Sequence, residues 1–317
     1  MPGVLTTAFR AITRYAASVL AAGIFAGLLL PDLASAMRPW LPPVVAGLLF
    51  VGMLRIDFRA LLQRLSRPST VAALCAWFLL LAPLLVWAAS LLIGVAPALG
   101  AALVLAAACP PIVSGPAMAV LLRLDAPLML ASVVSASLLA PFSIVLFATH
   151  VVEPDLDVDS TRLLVRLAVL IGGCMAAALL VRRLAGGERL ARHSGVLDGA
   201  SLVLLLVFAV AIMDGVAALL VHDPLHVAWL VLAAFAANLL LQISGSMAAA
   251  AMGRRAALTV GFASGNRNMG VMLAVLPADS VPDVLLYFAL AQIPIYVLPA
   301  LIGPLYRRWL EKAPQVG

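Results

Sequence analysis

Apolar runs of roughly the twenty residues that a helix needs to cross a bilayer core follow one another along almost the whole chain. They lie at 13–31, 41–57, 69–93, 99–122, 127–150, 162–182, 195–220, 225–250, 256–276 and 283–306. Lipid offers no partner to an unpaired N–H or C=O, so each run is expected to be a helix that satisfies its own backbone. Of the 317 residues, 65% are hydrophobic and 11% are charged, with a mean hydropathy of +1.15. A soluble domain carries roughly 25% charged residues, which excludes a soluble fold. A net charge of +6 and a pI near 9.9 do not point to nucleic acid either. The basic residues stand in short clusters between apolar runs, where topology signals belong. The lipid bilayer is the expected partner, and nucleic acid is not.

The charges test the number of spans. With both termini cytoplasmic, the inner segments hold 16 of the 20 Lys+Arg, from Arg10 and Arg14 through Arg55, Arg123, Arg182 and Arg254 to Lys312. The outer segments hold Arg38, Arg162 and Arg166, together with the acids Glu153, Asp155, Asp157 and Asp159. Miscounting one span would scramble this alternation, which obeys the positive-inside rule. Ten spans are expected, in a bacterial inner (plasma) membrane with both termini cytoplasmic. Arg10 and Arg14 before an apolar run, with Ala34-Ser35-Ala36 after it, also fit a cleaved signal peptide. The spans that follow favour an uncleaved first helix. Cys75, Cys109 and Cys174 are odd in number and lack metal-ligand spacing, so neither a disulfide framework nor a zinc site is expected. No cofactor is implied.

Two runs are interrupted. The fourth contains Cys109-Pro110-Pro111-Ile112-Val113-Ser114-Gly115-Pro116, which cannot continue one α-helix because proline lacks the N–H and clashes with the preceding turn. The ninth contains Ser264-Gly265-Asn266-Arg267-Asn268-Met269-Gly270. Ser114-Gly115 and Ser264-Gly265 are expected to be equivalent positions. Five spans precede the acidic outer loop at 151–160 and five follow it, giving one repeat over 1–150 and a second over 161–317. An odd number of spans per repeat inverts the second against the first. Paired interruptions in inverted repeats mark the binding site of a secondary transporter. The expected fold is therefore all-α and polytopic, with broken helices four and nine.

In these residues the chain resembles the bile acid:sodium symporter family over nearly its whole length. The resemblance is carried by Phe50-Val51-Gly52-Met53-Leu54 followed by Asp57-Phe58, by Arg67-Pro68 opening the third span with Pro83 inside it, by Ala108-Cys109-Pro110, and by Gly265-Asn266-Arg267-Asn268-Met269-Gly270. It implies a panel of spans one, two, six and seven against a core of the others, with the broken spans crossing near the midplane. It also implies carriage of bile acids, other organic anions or small carboxylates, usually with sodium, by movement of core against panel.

The chain departs from the family where sodium is held. The family's Ser-Asn in span four is here Gly115-Pro116, its span-nine Glu is Ala263, its span-nine Gln is Arg267 and a span-three Gln is Phe78. Sodium wants several oxygen ligands, and two unit charges about 4 Å apart repel by roughly 4 kcal/mol at an effective dielectric of 20. Arg267 is expected to stand in the space of the ion as a built-in cation. Its fork would donate to freed carbonyls, and its charge would help to hold a small organic anion. Half-helix N-termini near Pro116, capped by Ser114 or Gly115, and near Met269 would add positive dipole ends. Proton coupling, or none, is then expected rather than sodium coupling.

The expected substrate-binding set is Arg267, Asn268, Asn266, Ser114, Gly115, Ser264, Gly265 and Ser135. An arginine inside a span costs at least about 2.5–3.5 kcal/mol. The plainer alternative is a structural ion pair with Asp214, the one plainly intramembrane acid. Ser132, Ser135 and Ser137 lie near the family's hydroxyls, although such serines commonly bond their own preceding carbonyls. Asn238, Gln242 and Gln292 fit helix–helix glue. No Ser/His/Asp or paired-acid constellation lies at membrane depth, so an enzyme is not expected. A sodium-coupled symporter with other ligands and a non-transporting sensor of the same fold remain open alternatives.

Overall fold

The computed structural model describes residues 22–56, 68–150, 159–276 and 282–311, and these are helical with no β-strand among them. Arg10, Arg14, Asp57, Phe58, Arg67, Lys312 and the acids of the outer loop other than Asp159 lie outside the described residues. The helices are α1 (22–29), α2 (Pro31–Met37), α3 (Leu41–Leu54), α4 (Pro68–Ala76), α5 (Ala82–Leu92), α6 (Pro97–Ala108) and α7 (Gly115–Leu121). Next come α8 (Ala126–His150), α9 (Ser160–Ala185), α10 (Gly187–Arg192), α11 (Ser194–Ala211) and α12 (Val216–His222). The last are α13 (Pro224–Ala248), α14 (Arg254–Gly265), α15 (Gly270–Val275), α16 (Pro282–Leu290) and α17 (Gln292–Glu311). Among the described residues, seven stretches of helix are long and apolar enough to cross a membrane, including Ala126–His150, Ser160–Ala185 and Pro224–Ala248. Large apolar side chains such as Leu92, Leu184, Leu225 and Trp229 stand exposed on them. That surface suits lipid, and the chain is a helical membrane protein.

The helical stretch Pro31–Leu54 contains a reversal. Gly23 and Gly27 of α1 pack on Ala209 and Met213, so α1 runs parallel to α11. Arg38 then bonds Asp214, Gly47 packs on Leu204 and Arg55 bonds Asp198, so α3 runs back along the same helix. The turn is made by α2 and the 3₁₀ residues Arg38–Trp40, with prolines in the first turn of both. The Ala34-Ser35-Ala36 motif is therefore inside a helical turn.

Bonds divide the helices into two groups. In the first, α3 packs on α9 and α11. Arg38–Asp214 (2.7 Å) and Arg55–Asp198 (2.6 Å) clamp α3 to α11 at opposite ends. Cys174 donates to the Ala46 carbonyl and Arg182 to that of Leu54, which fixes α9 parallel to α3. In the second group, α13 and α14 pack along their length and α6 packs on α5, α8 and α16. Close approach of α13 and α14 depends on glycine: a Cβ on Gly261 would strike the Gln242 carbonyl and the Ser246 hydroxyl. Arg123, Arg254 and Arg255 gather at neighbouring helix ends: Arg255 donates to the Arg123 carbonyl, Arg254 to that of Trp309, and Arg123 pairs with Glu311.

A candidate site at the crossing of two broken helices

Helix α6 ends at Ala108 and α7 begins at Gly115; α14 ends at Gly265 and α15 begins at Gly270. The two unwound segments meet in an antiparallel bridge between Pro111 and Arg267. Ile112 donates to the Asn266 carbonyl at 2.9 Å and Asn268 to that of Pro110 at 2.8 Å. Each break thus supplies backbone partners to the other, which is how non-helical chain survives away from water. Ser264-Gly265 closes the first half of its helix, whereas Ser114-Gly115 opens the second half of its own. The two dipeptides therefore do not occupy equivalent places, since one precedes its break and the other follows its own. Ser114 occupies the N-cap of α7 with Pro116 in the first turn, but its hydroxyl makes no capping bond.

Arg267 is 2% exposed and draws three segments together. Its Nε donates to the Ser264 carbonyl at 2.6 Å, and its Nη1 donates to the carbonyls of Phe78 at 3.1 Å and Cys109 at 3.0 Å. Each acceptor is free for a traceable reason. The Asn268 N–H that would have served Ser264 goes to Pro110, and Pro110-Pro111 end α6 beyond Cys109. At Trp77–Leu81 the helix widens to a π-turn, so the Ala82 N–H reaches back to Trp77 instead of Phe78. The next residue, Pro83, has no N–H to offer. Phe78 is left to Arg267, and Leu79, which loses Pro83 as donor, takes the Ser143 hydroxyl at 2.5 Å. A π-bulge beside a functional site is a recurrent pairing.

The expected donation by Arg267 to freed carbonyls is therefore present. The structural alternative with Asp214 is not, because Asp214 pairs with Arg38. None of the ion pairs between described residues includes Arg267, and its Nη2 has no hydrogen-bond partner there.

Between the two groups of helices lies a cavity of about 480 Å³. Leu48, Leu49 and Gly52 of α3, Leu205 and Phe208 of α11, and Leu130, Val133 and Val134 of α8 give it apolar walls. Arg267 and Asn268 line it at the crossing, and the Arg55–Asp198 pair lines its far end, where Arg55 is exposed. On α3 and α11 the lining stops at Val45 and Phe208, so the cavity does not reach the Arg38–Asp214 pair.

Of the expected binding residues, Arg267, Asn268 and Ser114 line this cavity. Gly115 is packed on Met129, and Gly265 is packed on Gln242 and Asn238. Ser264 is buried between Trp77 Nε1, from which it accepts at 2.8 Å, and the Val260 carbonyl. Asn266 turns its amide to the Phe262 carbonyl, leaving its Oδ1 unpartnered. Ser135 does not line the cavity; Ser137 does, 2% exposed and with its hydroxyl unpartnered. Sequence reasoning had a usable signal here, because Leu130, Val133, Val134 and Ser137 share one helical face. Gln292 and Tyr296 also line the cavity. Asn238 and Gln242 act as glue: Tyr306 donates to Gln242, Gln242 to Asn238, and Asn238 to the Gly265 carbonyl. No group of three His, Cys, Asp or Glu among the described residues is placed to hold a metal ion. Compared with known families and with curated proteins, the chain matches no family model and no curated sequence.

Proposed function

We propose that this chain carries a small organic anion across the membrane by alternating access, with Arg267 as a built-in cation where the resembled family holds sodium. In this reading ten spans form two inverted five-helix repeats, and the basic face lies in the cytoplasm. The observation that carries the reading is the buried guanidinium at the crossing of two broken helices, lining the inner end of a cavity. Three carbonyls already neutralise part of its field, and the unpartnered Nη2 keeps two N–H donors for an anionic group. Apolar walls take the rest of the ligand, as in small-molecule sites generally. A fixed charge among those carbonyls repels a second cation, so coupling to sodium is not required.

The test is uptake of labelled carboxylates into proteoliposomes with sodium replaced by potassium. Uptake is expected to persist without sodium and to collapse in Arg267→Gln. Strict sodium dependence would overturn the built-in cation. Saturable binding with no flux in any gradient would favour a sensor that keeps the fold.

A further inference from the structure

The bonds named above for α3, α9 and α11 stay within the first group of helices; one further bond leaves it. Arg166, exposed near the start of α9, donates from Nη1 to the Val275 carbonyl at 3.1 Å. Val275 is the last residue of α15, which belongs with the second group through its continuity with α14 at the crossing although it packs against α3 and α9. Leu276 leaves the helix in extended geometry. A helix end of this kind presents unpaired carbonyls and negative potential, which suits a guanidinium. Because α9 runs parallel to α3, Arg166 lies at the level of Arg38, on the face that the cavity does not reach. At the opposite face, Arg55–Asp198 and Arg182–Leu54 hold the first group to itself, and the cavity separates it from the second.

We propose that the Arg166–Val275 hydrogen bond is a latch: it joins the two groups at the closed face and must break before the cavity opens there. The inference rests on the alternating-access reading. Helix α15 continues from the crossing that holds Arg267, so a latch on its far end ties closure to the segment that lines the cavity. Between the crossing and the latch, Gly270 lies close to Phe208 and Val45 with no bond between them, an apolar contact that can slide. A charge-assisted bond at one edge of such a seam biases a two-state equilibrium without locking it.

The test needs no substrate. Ser114→Cys places a reporter on the cavity wall at a hydroxyl that caps nothing. Labelling by a membrane-impermeant maleimide is followed in vesicles of both orientations, above the background of the three native cysteines. With Arg166 intact, the reporter is expected to react from the Arg55 face. In Arg166→Met, its rate from the α9-start face should rise about tenfold, the change in equilibrium that one charge-assisted bond supplies. Its rate from the Arg55 face should fall, and Arg166→Lys should restore the parent pattern. Unchanged sidedness in a variant that elutes as folded protein would reduce Arg166 to a helix cap and overturn the latch. If the Met variant is lost from the membrane, Arg166→Gln, which drops the charge and shortens the reach, carries the same test. Flux with unchanged sidedness would leave the carrier and sink the latch. Altered sidedness without flux would keep the latch and sink the carrier.

Discussion

The guanidinium of Arg267 lies over the ring of Phe78, 5.3 Å from its centroid, while its Nη1 donates to the carbonyl of the same residue at 3.1 Å. One side chain thus reads both the face and the backbone of a residue in a distant helix. The contact exists because the π-turn diverts the Ala82 N–H, the helical donor of Phe78, to Trp77. Arg267→Met should lower stability by at least about 2 kcal/mol, since three buried carbonyls lose their donor at about 1–3 kcal/mol each, partly offset by removal of a buried charge. Thermal unfolding in detergent measures this. Equal stability would mean that water replaces the guanidinium.

Ser143 and Pro83 form a second such pair. The Ser143 hydroxyl bonds the Leu79 carbonyl, whose helical donor position is held by proline. Ser143→Ala should cost about 1–2 kcal/mol alone and much less in a Pro83→Ala background, where the helix regains an N–H. A double-mutant cycle reads the coupling directly. Additive effects would show that the two residues do not compensate each other.

These pairs show where sequence reading runs out. The breaks at 109–116 and 264–270 were legible because proline and glycine punctuate helices by known chemistry. The apolar runs likewise marked where the long helices among the described residues lie. The partners of Arg267 were not legible, since backbone carbonyls are the same in every residue. What frees them is a π-turn over Trp77–Leu81, a stretch of ordinary apolar residues. The pairing of Ser264-Gly265 with Ser114-Gly115 failed for another reason: identical dipeptides stand on opposite sides of their breaks. Ser135 and Ser137 both lie near the family's hydroxyls, and only the helical turn of about 200° between them puts Ser137 and not Ser135 on the cavity wall.

Glycines separate close packing from open surface. At Gly265 a Cβ would lie 2.6 Å from the Asn238 carbonyl oxygen, whereas at Gly172 and Gly173 of α9 it would meet nothing within 4 Å. Gly265→Ala should therefore destabilise by several kcal/mol, or shift α14 away from α13, at about the scale of other overpacked cores. Gly172→Ala should be neutral or stabilising by up to about 1 kcal/mol through helix propensity. Comparing the two in one detergent removes solvent as a variable. Similar losses at both positions would contradict the packing of α13 on α14.

Ser137 offers the sharpest division between folding and function. Its hydroxyl is buried, lines the cavity and has no partner, so it contributes desolvation cost without a bond to offset it. Ser137→Ala should leave thermal stability unchanged or raise it by about 1 kcal/mol. A ligand that accepts from this hydroxyl would lose one hydrogen bond, weakening its binding by about fivefold to tenfold. Stability and uptake are measured on the same preparation. A loss in both would mean that the serine holds a structural bond, and a loss in neither would place the ligand elsewhere in the cavity.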